Sequence, residues 1–256
     1  MRGLRHTLPT IVAAVCVMAA PAAGVQGGYK GRPYEANVAV GAGLVPALGG
    51  ARRSNAAQQT GSIRGRVAVP DVPEPPIRPS IADLGAPRHP PPDRRRVVVY
   101  LESAPRDAFA DLQPGRARMD QRGQQFLPRV LAVPAGTVVD FPNNDTTFHN
   151  VFSLSRVRTF DLGRFAPGRS GAVRFSRPGI VPIFCDIHSH MSAYVLVFSH
   201  PYFAVSDTDG RYEIADVPSG QYSLAVWSEL GEAASRTVRV SAGATTEADF
   251  IVEREP

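Results

Sequence analysis

The chain has 256 residues and a mass of 27.4 kDa, enough for one large domain or two small ones with a real apolar core. Hydrophobic residues make up 43% and charged residues 20%, which excludes an intrinsically disordered chain and a multi-span membrane protein. The net charge of +5 is uneven, with +6 on residues 24–96 and −6 on residues 200–256; the basic excess lies in a Pro-rich leader without the interleaved aromatic and basic residues of a nucleic-acid module, so no nucleic-acid partner is expected.

At the N-terminus, Met1, Arg2, Arg5 and His6 precede an apolar run that ends in Ala20-Pro21-Ala22, and residues 1–23 read as a cleaved secretory signal peptide. The run is shorter than the ~20 apolar residues of a spanning helix, so a periplasmic or secreted protein without stable membrane insertion is expected. Cys16 leaves with the signal. The mature chain then keeps one thiol, Cys185, which cannot close an internal disulfide and is a buried small hydrophobe, an intermolecular link, a ligand or a nucleophile. Residues 24–60 read as a flexible linker, and residues 61–96 as a lone alternating strand followed by a stiff Pro-rich linker.

After Arg96 the pattern changes to short β runs at 97–101, 129–133, 137–141, 150–154, 172–175, 180–184 and 193–198, separated by Pro, Gly and Asn. The best helix candidate, 104–112, is about two turns long. Seven short strands with this punctuation predict an antiparallel sandwich over residues 97–199. A second series follows at 203–205, 212–215, 222–227, 237–240 and 250–252, broken at Asp209-Gly210, Pro218-Ser219-Gly220 and Ala242-Gly243. Five strands are few for a sandwich over residues 200–256, which makes the 61–69 strand a candidate to complete it. The pattern alone does not say which sandwich that strand joins. The fold class is all-β, with two sandwiches.

The sharpest local signal is Cys185-Asp186-Ile187-His188-Ser189-His190-Met191, between one predicted strand and the next. It places a thiolate, an imidazole and a thioether in one tight loop. A second imidazole, His149, lies 36 residues upstream between two strands, in Phe141-Pro142-Asn143-Asn144-Asp145-Thr146-Thr147-Phe148-His149-Asn150. Two His and one Cys with a weak axial Met describe a trigonal copper site: soft sulfur suits Cu(I), and imidazole suits both oxidation states. A loop this short cannot refold when the oxidation state changes.

These two blocks resemble the cupredoxins, in particular the plastocyanin and amicyanin group, with the shorter Cys-to-Met spacing of amicyanin. The resemblance covers about residues 97–199. It implies a Greek-key cupredoxin sandwich holding one type 1 copper, with His149, Cys185, His188 and Met191 as the four ligands. It also implies that Asn150 braces the thiolate and ties the two ligand loops together. The stretch from Tyr202 to Trp227, with its Asp207-Thr208-Asp209-Gly210 and Pro218-Ser219-Gly220 turns, resembles a carboxypeptidase regulatory-like, transthyretin-type β-sandwich. Together they are similar to secreted proteins of the methylamine-utilisation type.

Other residues read as structural. His190 and His200 are expected at the surface or rim, and His89 in solvent. Asp145, Asp161 and Asp186 form no defensible acid/base pair. Asp207 and Asp209 lack the terminal Glu of a calcium loop, so a turn is the better reading. The function expected is that of an exported carrier of single electrons between redox proteins, and not an enzyme. Copper storage or delivery, or a structural module whose C-terminal sandwich contacts carbohydrate or a surface protein, are the alternatives. A zinc hydrolase would need a general base that no residue supplies. On the carrier reading His188 is the electron exit, ringed by Phe148, Ile187, Ser189 and Ala193, and removal of residues 201–256 spares exchange if the second sandwich only tethers.

Overall fold

Alternating apolar runs cut by Gly, Pro and Asn fold here as strands, and no helix forms among the described residues, which in this computed structural model are 59–70, 93–105 and 114–254. The expected signal peptide, most of the 24–60 linker, the Pro-rich stretch 71–92 with His89, and positions 106–112 of the helix candidate lie outside them. All described residues belong to one compact unit spanning residues 53–256. Two strands come first, β1 (Thr60–Ala68) and β2 (Val98–Leu101). The next segment supplies β3 (Arg116–Arg118), β4 (Asp120–Arg122), β5 (Gln125–Leu127), β6 (Val130–Pro134), β7 (Thr137–Pro142), β8 (His149–Ser153), β9 (Phe160–Phe165), β10 (Ser170–Phe175), β11 (Gly179–Phe184) and β12 (Ser192–Phe198). The remainder carries β13 (Phe203–Val205), β14 (Arg211–Pro218), β15 (Gly220–Trp227), β16 (Gly231–Val240), β17 (Thr245–Glu247), β18 (Phe250–Ile251) and β19 (Glu253–Arg254).

In the first sandwich, a sheet of order β6-β12-β11-β8-β9 lies against a sheet of order β10-β7-β3, with the β4–β5 ribbon beside them. Val139, Phe141, Val173 and Phe175 from the small sheet share one core with Val151, Val181, Ile183, Val195 and Val197 from the large one. β7 shows why: in Thr-Val-Val-Asp-Phe-Pro every second side chain is buried, the period of a strand with one wet face. In the second sandwich, β14-β1-β17, with β18 also on β1, lies against β13-β2-β15-β16-β19. Its core is built from Ile63, Val67, Ile214 and Val217 on one side and Val99, Leu101, Leu224 and Val238 on the other. The 61–69 strand therefore completes the second sandwich, antiparallel to β14 and parallel to β17.

One expected boundary moves. The run at 97–101 opens the second sandwich, since β2 pairs with β13 and β15, and the first sandwich begins at β3. The physical reason is that β2 is buried on both faces. Val97, Val99 and Leu101 enter the second core, while Val98 joins Val130 and Leu196 in a third cluster with Tyr194, Phe198, Phe203 and Trp227. A doubly buried strand reads as an unbroken apolar run, which carries no sign of its sheet. β12 is its counterpart: Ala193, Val195 and Val197 face the first core, and Leu196 faces the third cluster. The two sandwiches are thus joined by an apolar seam.

Strands the sequence did not announce are polar or at edges. β9, Phe-Asp-Leu-Gly-Arg-Phe, ends the five-stranded sheet and has no fully buried residue. β4 and β5 turn through Gly123 and Gln124, with φ of 59° and 53°, the left-handed pair that a tight two-residue hairpin requires.

Candidate metal centre

The sheet order itself gathers the ligand-type residues. β8 begins at His149, its antiparallel neighbour β11 ends at Phe184, and β12 returns from Ser192, so the three strands open at the same end. The Phe184–Ser192 pair closes the base of the loop 185–191. His149, Cys185 and His188 are all buried, and their ligand atoms lie within 4.8 Å of one another. Nδ1 of His149 is 3.1 Å from Nδ1 of His188, and Sγ of Cys185 is 4.0 Å from the latter. Met191 is buried in the same core cluster as Cys185, and its N–H donates to the His188 carbonyl at 3.0 Å. The Asn150 N–H points at the Cys185 sulfur at 3.5 Å. Among the described residues no other group of three His, Cys, Asp or Glu converges in this way.

Asp145, which the sequence left without a role, holds the first imidazole. Its Oδ2 lies 3.0 Å from His149 Nε2 and accepts the Gln124 N–H at 2.6 Å, while Oδ1 accepts the Thr146 N–H at 2.9 Å. A proton on Nε2 shared with this carboxylate leaves the lone pair of Nδ1 facing the centre. Asn143 fixes the loop that carries both residues, donating to the carbonyls of Thr147 and Phe165 and accepting the Asp145 N–H. The four-residue step from Asp145 to His149 was the available signal. It is silent in a sequence because many Asp–His pairs at that spacing never meet.

The charges are mutually supporting. Burial pushes the Cys185 thiol up, but the hydrogen bond with His149 and the amides of Asn150, His188 and Ile187 outweigh it and hold the thiol below its ordinary range. Burial lowers the His149 imidazolium, yet Cys185 and Asp145 together raise it above the usual value. For Asp145, burial acts upward, and the Gln124 amide and His149 prevail and keep it low. These neighbours draw the thiol toward its thiolate and the imidazole toward its cation, and a metal ion held by His149, Cys185 and His188 would take the place of the imidazole proton. Asp186 is held low by Arg164, whose guanidinium reaches its Oδ2 at 2.9 Å, with a contribution from Asn150 across the two loops.

The donor set fits a copper ion. Two ligands with bonds of about 2.0–2.3 Å to one ion stand up to about 4 Å apart; the 3.1 Å and 4.0 Å separations lie within that span, and all three ligand atoms lie within 4.8 Å of one another. Two imidazoles and one thiolate, with a buried thioether nearby, match the soft and borderline preferences of copper. Three surface expectations change. His200 is buried, its Nδ1 accepting the Tyr202 N–H at 3.2 Å, and Ala193 lies inside the first core, so neither belongs to a rim around His188. His188 itself is 5% exposed and so does not reach the surface as expected, whereas Phe148 is 55% exposed, Ser189 is exposed and Ile187 is half-buried. His190 is half-buried, its ring 6.0 Å from that of His188.

Residues 192–248 match the family model described as polysaccharide lyase family 4, domain II, which spans β12 to β17 and is not a carboxypeptidase regulatory family. No curated protein matches the chain. Among solved structures, a purple cupredoxin from Nitrosopumilus maritimus is 21% identical over 32% of this chain and 99% of its own, with a TM-score of 0.30. A copper-containing nitrite reductase from Thermus scotoductus is 26% identical over 34% of this chain and 23% of its own, at a TM-score of 0.32. A reduced Cu(I) form of amicyanin is 20% identical over 39% of this chain and 98% of its own, at a TM-score of 0.31.

Proposed function

We infer that the chain binds one copper ion through His149, Cys185 and His188, with Met191 as axial ligand, and carries single electrons between redox proteins outside the cytoplasm. The observation that carries this reading is the convergence of two Nδ1 atoms and one Sγ in a buried site. Bound copper supplies the one-electron exchange between Cu(I) and Cu(II). The chain's own residues do the rest. Asp145 orients His149, the Asn150 amide braces the sulfur, and the paired ends of β11 and β12 keep the loop from moving, which lowers the reorganisation that each transfer demands. Burial excludes water from the donors, and Phe148, Ser189 and Ile187 present a small, weakly charged face suited to brief encounters. No turnover of a bound substrate is part of this role. The signal-like residues 1–23 support export.

The test is the visible spectrum of copper-loaded mature protein. One copper per chain and an intense thiolate-to-copper band are expected, and Cys185→Ser should abolish the band, because a hydroxyl is neither soft nor readily deprotonated. A colourless protein that takes zinc tightly would overturn the reading. Electron transfer is tested separately: Ile187→Glu should slow exchange with a redox partner several-fold at matched salt while leaving copper stoichiometry unchanged. Slow exchange in the wild type combined with ready transfer of Cu(I) to an acceptor would instead mark a copper-delivery protein. The match of residues 192–248 to domain II of polysaccharide lyase family 4 favours a second role, contact of the second sandwich with a polysaccharide. Retention on immobilised polysaccharides tests it directly.

A further inference from the structure

The loop that carries Cys185, His188 and Met191 is closed by Ser192, and Ser192 is held from outside its own hairpin. Arg129, just before β6, donates from Nη1 to the Ser192 carbonyl at 2.7 Å and from Nη2 to its hydroxyl at 3.2 Å. The Arg129 carbonyl accepts the N–H of Tyr194, two residues further along β12, at 2.8 Å. What fixes the guanidinium comes from the other sandwich. Glu229, in the β15–β16 connection, takes Nε at 2.9 Å on Oε1 and Nη2 at 2.8 Å on Oε2. The two side chains are 10% and 1% exposed. Arg94 brings its Nε to 3.5 Å of the same carboxylate. Beside the pair, Trp227 meets Tyr194 edge-on with ring centroids 5.0 Å apart.

A buried ion pair is a poor stabiliser, because desolvation of both charges offsets most of their attraction. Its strength is geometric. A planar guanidinium gripped side-on through Nε and Nη2 has no rotational freedom left, so Nη1 can point in one direction only. That direction is the carbonyl of the residue after Met191. We propose that Glu229 and Arg129 are positioning residues for the metal-binding loop, through which the second sandwich sets the placement of Met191 and the rigidity of the Cys185–Met191 loop. A ligand that displaces the β15–β16 connection would then alter the metal centre without touching it. The significance for the metal rests on the copper reading above, whereas the mechanical coupling does not.

The experiment compares full-length wild type with Glu229→Gln, which keeps the side-chain size and removes the charge that grips Arg129. Amide hydrogen exchange is followed at Met191 and Ser192 in the metal-free protein, and the visible spectrum and reduction potential are read after copper loading. The expected result is at least tenfold faster exchange at those two amides, with a changed ratio of the copper bands and a shifted potential at unchanged copper stoichiometry. Ile63→Val, which loosens the second core from the sheet opposite β15 and β16, serves as control and should leave both amides and spectrum as in wild type. If Glu229→Gln does not fold, Glu229→Asp, which keeps the charge but shortens the reach, takes its place with the same expectation. Wild-type exchange at Met191 and Ser192 in the folded variant, whatever its melting temperature, overturns the proposal. Faster exchange in Glu229→Gln, together with a wild type that never colours with copper, would leave the coupling standing and overturn only the copper reading.

Discussion

The two sandwiches are built from the same kind of strand and fill their centres differently. The second core is mainly aliphatic and aromatic, and the polar groups against it are satisfied: the Tyr212 hydroxyl donates to the Ala248 carbonyl at 2.6 Å, and the buried Ser206 hydroxyl accepts the Val97 N–H at 3.1 Å. The first core gives part of its volume to His149, His188, Asn150, Gln121 and Asn143. Buried polar groups are stabilising only when each is held by a partner, and here the partners are largely one another: His149 meets Asp145 and His188, and Cys185 meets His188 and the Asn150 amide. The comparison assigns stability to one sandwich and chemistry to the other, with the seam between them as the place where the two requirements meet. It also changes one expectation: removal of residues 201–256 would strip β1 and β2 of their pairing strands and Arg129 of Glu229, so it cannot be a neutral truncation.

The largest effect expected is on stability alone. Leu224→Ala empties a fully buried position in the second core and should cost about 2–5 kcal/mol in denaturant unfolding, while the folded fraction keeps the copper band unchanged. A lost band in still-folded protein would break the division of labour. Met191→Gln is the converse. It should lower the reduction potential, because an amide oxygen is a harder donor than a thioether and relatively favours Cu(II), at a stability cost of about 1–3 kcal/mol for burying the amide. An unchanged potential, read by voltammetry on the loaded protein, would remove Met191 from the axial position.

How much of this was legible follows from the distance over which each feature is encoded. The strands of the first sandwich with one wet face, such as β7, announce themselves by alternation, and the metal loop is visible because three of its ligand types lie within seven residues. Asn150 beside His149 is local too. The Arg129–Glu229 pair joins residues 100 apart, in two different sandwiches, and nothing in either neighbourhood marks it. β2 reads as part of the first sandwich for a related reason: burial on both faces erases the periodicity that would show which core it serves. His200 reads as a rim residue because a lone histidine carries no sign of its burial, which Phe198 and Tyr202 beside it create only in the fold.

His200 offers the finest division between the two regions, since it lies between β12 and β13 where they join. Its ring is close to those of Phe198 and Tyr202, with centroids 6.0 Å and 6.1 Å away. Burial holds its pKa below the ordinary value and outweighs the opposing contribution of the Leu101 backbone. Geometry agrees: Nδ1 accepts the Tyr202 N–H, and a proton there would set donor against donor. Above the unfolded pKa of about 6.5 both states are neutral and the contribution of His200 to stability is complete. As pH falls below that value the unfolded chain takes up the proton first, so stability declines by at most about 1.4 kcal/mol per pH unit until the folded pKa is passed. His200→Gln keeps an acceptor for Tyr202 and removes the titration. The stability of metal-free wild type relative to this variant should therefore shrink between pH 7.5 and pH 5, with other titrating groups cancelling in the difference. A difference that is flat with pH, or that grows on acidification, would show that the seam opens enough at His200 to hydrate the ring, and the two sandwiches would then have to be treated as separately mobile.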